Sequence, residues 1–139
     1  RIVNISSAAQ APVDLKLLRG ERSAGHMDAY SQSKLALIMW TRALAAELGS
    51  GPVVVAVNPG SLLATNMVRE GFGIAGNDQS IGTDILVRAV VADEFRSATG
   101  QYFDNDSGRF ADPHHDALDP KKVSAVMAAL DAIIEPFMP

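Results

Sequence analysis

Cysteine is absent from the 139-residue sequence, which excludes disulfide bridges and thiolate metal sites. That absence suits a reducing compartment, and the expected location is cytoplasmic. A basic excess is also missing: 12 Lys and Arg stand against 16 Asp and Glu, leaving a formal charge of −4. The chain therefore carries no electrostatic footprint for nucleic acid, and none is expected as a partner. Long apolar runs are lacking too. "LALIMW" and "VVVAV" fall far short of the ~18 residues that a spanning helix needs, so no membrane span is expected. No basic-then-apolar signal segment is seen. What remains is ordinary globular composition, 47% hydrophobic and 20% charged, enough for one core. "RIVNISS" brings strand-like residues with no initiator Met and no preceding cap or turn. The expectation is a chain cut from something longer.

Ile2 to Ile5 read as a short buried strand ending at "SS". Residues 8 to 27 read as loop, with a possible helical turn at "DLKLLR". Asp28 is the expected cap of a helix running to about Leu48, where "GSGP" stops it. Val53 to Val57 form a second strand, halted by "NPG". A loop and short helix lead to Gly76, and a helix is expected to start at Ser80 or Thr83. "GQYFD" reads as a third strand. Asp119 and Pro120 then open a last helix with Val123, Val126, Met127, Leu130, Ile133 and Ile134 on one face. Strands alternating with helices predict an α/β fold with a parallel sheet of three strands. Ligands in such sheets sit at the C-terminal strand ends, where "SS" and "NPG" both fall.

"YSQSK" places Tyr30 and Lys34 four apart near a helix start, on one face. A free tyrosine, with a pKa near 10, is a poor acid or base at neutral pH. A nearby ammonium and the positive end of a helix both favour the phenolate. Such a tyrosine can exchange a proton with an alcohol or carbonyl oxygen while hydride moves at the same carbon. Ser7, at the end of the first strand, can donate a hydrogen bond to that oxygen, or simply cap a loop. Pro59 and Gly60 make a tight strand exit that lets backbone approach a flat ring.

In this order, "RIVNISS", "YSQSK" continuing into "LALIMWTRALAAEL", and "VVVAVNPGSLLAT" resemble the short-chain dehydrogenase/reductase family over nearly the whole chain. The resemblance implies the C-terminal half of a Rossmann-type doubly wound parallel sheet. Residues 1–139 would be the catalytic half of one dehydrogenase domain, without its N-terminal nucleotide-binding half. The implied activity is hydride transfer between NAD or NADP and an alcohol or carbonyl substrate. Tyr30 would be the general acid/base, Lys34 would bind the nicotinamide ribose, and Ser7 would position the substrate. Pro59, Gly60, Leu62 and Thr65 would meet the nicotinamide end of the cofactor. Thr65 stands one position later after "PG" than the family spacing. The Ser7 to Tyr30 interval is long, as in the retinol-dehydrogenase and protochlorophyllide-reductase branch.

Several lookalikes carry less. "GFGIAG", residues 71 to 76, fits the dinucleotide spacing G-x-G-x-x-G but is not preceded by a strand pattern, and reads as a flexible loop. "DPHHD" offers ligand types, but adjacent His114 and His115 should point apart in extended chain, so no metal is expected. "DNDSG" at 104 to 108 departs from a calcium loop and reads as a turn. Ser7 with His26 lacks the elbow motif of a hydrolase. The "LALIMW" helix has almost no polar face, which predicts either a more deeply buried core helix or a neighbour over Leu37, Met39 and Trp40, from a missing helix or from another subunit of a homo-oligomer. The apolar "SLLATNMVREGFGIAG" segment suggests a lipophilic substrate. The competing expectation is a fold remnant that serves oligomerisation or binding without catalysis.

Overall fold

The computed structural model describes residues 1–138 as an open four-stranded α/β sheet with helices on both faces. The order along the chain is β1 (Ile2–Ile5), α1 (Leu15–Leu18), α2 (His26–Leu48) and β2 (Val54–Asn58). Then come α3 (Asn66–Phe72), α4 (Gln79–Val91), β3 (Tyr102–Asp104), β4 (Arg109–Ala111) and α5 (Pro120–Ile134). In space the strands run β1-β2-β3-β4. The first three are parallel, with Ile5 opposite Val57 and Val57 opposite Phe103. None of these helices is long and apolar enough to cross a membrane.

Strand β2 is the centre, buried along its whole length. Its side chains alternate between faces, as the two-residue period of a strand requires. Ala56 packs with Leu35, Ile38 and Met39 of α2, Tyr102 of β3 and Val126 of α5. Val55 and Val57 face the other way, onto Ile85 and Ala89 of α4 and the ring of Phe95. Phe95, Phe103 and Phe110 pack tilted and edge-to-face with centroids 5.1 to 5.2 Å apart, closing that layer.

The fold corrects four expectations. The sheet has four strands rather than three: "DNDSG" is the turn of a hairpin that returns β4 antiparallel beside β3. With three residues, "RFA" is too short to show strand alternation. Helix α2 starts three residues earlier than expected, capped at Gly25, and Asp28 lies inside its first turn. There its carboxylate accepts from Gln32 at 3.0 Å. Helix α4 starts at Gln79 because the Asp78 side chain accepts from the Ser80 N–H. Met39 is buried at 1% exposure, so Trp40, at 38%, is the exposed large side chain of "LALIMW".

Candidate active site

Strand β1 delivers two serines with different surroundings. Ser6 is buried, and its hydroxyl donates to the Lys34 carbonyl at 3.1 Å, tying the strand end to α2. Ser7 faces a cleft, and its hydroxyl oxygen accepts from the Ala9 N–H at 3.1 Å. The Ser7 carbonyl accepts from the Tyr102 hydroxyl at 3.2 Å and from the Gln10 amide at 3.1 Å. Burial and the nearby Asp104 carboxylate push the Tyr102 hydroxyl well above its ordinary pKa, keeping it a neutral donor.

Helix α2 brings Tyr30 and Lys34 to the same cleft. The Lys34 ammonium donates to the Ile5 carbonyl at 3.0 Å and lies 5.5 Å from the centre of the Tyr30 ring. The lysine therefore bridges the end of β1 and the face of the tyrosine. Two of its three N–H groups remain for a ligand.

The opposite wall follows β2. Asn58, buried at 1% exposure, turns its side-chain oxygen back onto the Gly60 N–H at 3.2 Å. Gly60, at φ 130, adopts a backbone that L side chains rarely reach. Leu62 follows at φ 53, and among the described residues it is the one non-glycine with positive φ. The Leu62 and Leu63 N–H groups have no acceptor among the described residues. The Thr65 hydroxyl oxygen caps α3 by accepting from the Val68 N–H at 3.3 Å.

Ser7, Tyr30, Lys34, Pro59, Gly60, Leu62 and Thr65, all singled out from the sequence, line this one cleft of about 410 Å³. Met67, Val68 and Phe72, from the apolar segment 61–76, complete its apolar wall together with Met27, which sequence reasoning missed. It also missed Asp104 and Asp106, whose carboxylates each accept from the Asn58 amide at 2.8 Å. The only sequence signal for these two was the acidic turn itself.

The lookalike motifs have other surroundings. "GFGIAG" begins inside α3 and continues from its left-handed cap at Gly73, so a helix and not a strand leads into it. His26 lines a neighbouring recess with Met27 and Glu70 rather than the cleft that holds Ser7. The expectation that His114 and His115 point apart is wrong. A 3-10 turn over His115–Leu118 stacks their rings 4.2 Å apart, and both reach the Asp116 carboxylate. The Lys122 ammonium lies 2.6 Å from that same carboxylate.

No protein-family model and no curated protein matches the sequence. Among solved structures, the fold is similar to that of an uncharacterized protein from Mycobacterium paratuberculosis, with a TM-score of 0.71 and 25% identity. That alignment covers 97% of this chain and 50% of the other, so the chain spans about half the neighbour's length.

Proposed function

We propose that this chain is the catalytic half of a nicotinamide-dependent oxidoreductase of the short-chain dehydrogenase/reductase type, acting on an alcohol or carbonyl. One observation carries the reading. Residues from three separate stretches, chosen for one chemistry, converge on one cleft at the C-terminal ends of β1 and β2.

The donor set fits the nicotinamide end of NAD or NADP. Lys34 offers an ammonium for the ribose hydroxyls, and the Leu62 and Leu63 N–H groups offer donors for a carboxamide oxygen. Pro59 and Gly60 offer a small, flat approach. "GFGIAG" follows a helix rather than a strand, so it does not offer the turn that holds a pyrophosphate. In this reading the pyrophosphate and adenosine belong to a nucleotide-binding half outside this chain.

When bound, the nicotinamide supplies or accepts hydride at the substrate carbon. Tyr30 gives a proton to, or takes one from, the substrate oxygen. Lys34 supports the phenolate by its positive charge. Ser7 would turn its hydroxyl proton toward the same oxygen, since its oxygen already accepts from Ala9. Met27, Met67 and Phe72 favour a substrate with an apolar body.

Reduced nicotinamide mononucleotide tests the reading, because it presents only the end of the cofactor that this cleft fits. Titrated into the isotope-labelled chain, it should shift the amide resonances of Lys34 and of Gly60 to Thr65, with affinity on the order of millimolar. No shift at saturating ligand leaves the rival reading, a non-catalytic binding or oligomerisation unit.

A further inference from the structure

Leu62 sits in the left-handed region at the lip of the cleft. For a residue with a Cβ this conformation is strained and persists only when its surroundings over-determine it. Two clamps do so, one on each side in sequence.

The clamp that follows Leu62 is local. The Asn77 N–H donates to the Leu62 carbonyl at 2.6 Å, and the Ala64 N–H donates to the Asn77 carbonyl at 2.8 Å. The clamp that precedes it comes from the β3–β4 hairpin. One oxygen of Asp106 accepts from the Ser61 N–H at 2.8 Å. The other accepts from the Ser61 hydroxyl at 2.5 Å and from the Asn58 amide at 2.8 Å. Next to it, the Asn105 amide donates to the Pro59 carbonyl at 2.9 Å. The lip from Asn58 to Ser61 is thus tied at both ends to a turn about 45 residues away in sequence. These bonds hold the Asp106 carboxyl below its ordinary pKa against a desolvation that acts the other way.

We propose that Asp106 is a positioning residue for the nicotinamide-facing lip. By fixing Ser61 through its backbone and its hydroxyl together, it holds Leu62 in the left-handed turn. That turn leaves the Leu62 and Leu63 N–H groups free for a carboxamide. The inference rests on the oxidoreductase reading above. A hairpin aspartate with a purely structural role would stabilise the fold without altering what the lip binds.

The experiment uses the whole 139-residue chain and reduced nicotinamide mononucleotide, followed by amide spectra. Asp106→Asn keeps the shape but leaves one acceptor oxygen where three donors converge. It should weaken binding about tenfold and move the Ser61 amide proton upfield, out of the range of a carboxylate-bonded N–H. Asp119→Ala, at the α5 cap, is the control; it should lower the melting temperature at least as much and leave binding intact. Ser61→Ala deletes one of the two Asp106 bonds without touching the hairpin and should give a smaller loss in the same direction. Wild-type affinity in Asp106→Asn overturns the inference and leaves the oxidoreductase reading standing. Should Asp106→Asn not fold, unchanged binding in Ser61→Ala overturns it equally. A wild-type chain that never binds the mononucleotide overturns both.

Discussion

Lys34 and Tyr30 are one helical turn apart on α2, yet the lysine reaches past the ring to hold the carbonyl of Ile5. Its ammonium, 5.5 Å from the ring centre, is held in place by the sheet rather than left on a free stem. The pair is therefore built into the junction of β1 and α2.

That junction separates the roles of the two residues. In a form of the protein that turns over an alcohol or ketone, Tyr30→Phe should lower kcat by about 10²–10⁴-fold. Binding of reduced nicotinamide mononucleotide should stay within about twofold of wild type, because the ring is kept. Lys34→Ala should damage turnover and binding together, and should also lower the melting temperature through the lost Ile5 bond. Steady-state rates, titration and thermal melts on the same preparations separate these outcomes. Wild-type turnover in Tyr30→Phe ends the assignment.

The parts of the fold that were legible in the sequence are those whose signals are local. The run "VVVAV" supplies Val54 to Val57 of a strand buried on both faces, "NPG" ends it one residue later than expected, at Asn58, and Asp119 with Pro120 opens α5 as a cap and first turn dictate. The cleft residues were legible because each sits beside such a punctuation mark. The bracing of the cleft was not. Asp106 meets Ser61 only because β3 lies beside β2, and that pairing is long-range. Strand β4 is three residues long and has no period to read. The His114–His115 stack depends on a 3-10 turn, where the extended-chain argument does not apply.

Gly76 closes the segment that carries the apolar wall. It has φ +80, and a Cβ there would lie 2.7 Å from the Ala64 Cα and 2.8 Å from the Leu62 carbonyl oxygen. Both are backbone atoms of the neighbouring limb and cannot rotate away. Gly76→Ala should cost about 1–3 kcal/mol and open the Leu63–Asn77 bridge first. Hydrogen exchange should rise at Ala64 and Asn77 while β2 stays protected. Gly71→Ala, in open space within α3, is the contrast and should be neutral or slightly stabilising. Equal exchange in both variants would contradict the close approach at Gly76.

Asp116 makes part of the stability depend on pH. The Lys122 hydrogen bond, opposed by desolvation, holds its carboxyl below the ordinary value, with further help from Lys122, His114 and His115 charge. A depressed folded pKa means stability that is present above the unfolded value, about 3.9, and lost as pH falls through the folded value. Lys122→Met removes the first cause and leaves a 5%-exposed carboxylate short of a partner. It should cost on the order of 1–2 kcal/mol at pH 7. Its difference from wild type should shrink as the pH drops below about 4. Urea melts at pH 7 and pH 3 check the sign; a gap that widens toward acid contradicts it.

The β1 edge should make the isolated chain self-associate. β1 pairs with β2 on one side, and its other side carries no strand among the described residues. Such an edge, with no charge along "IVNI", is a template for another chain. Ile5, at its end, is 48% exposed. Helix α4, which packs on one sheet face, exposes Val87, Val90 and Val91 at 54% to 68%, and α2 on the other face exposes Trp40 at 38%. On the proposed reading, a strand edge flanked by apolar residues on both layers is the surface that a further half of the sheet would cover. The solved neighbour, of which this chain matches 50%, has length enough for such a half. Without it, the chain should sediment as dimers or larger at tens of micromolar, and Val87→Glu with Val90→Lys should shift it toward monomer. On the proposed oxidoreductase reading, the same chain should show no micromolar affinity for NADPH, because that reading gives it a site for the nicotinamide end alone. A stable monomer that binds NADPH at micromolar strength would make the chain a complete unit and remove the need for a second half.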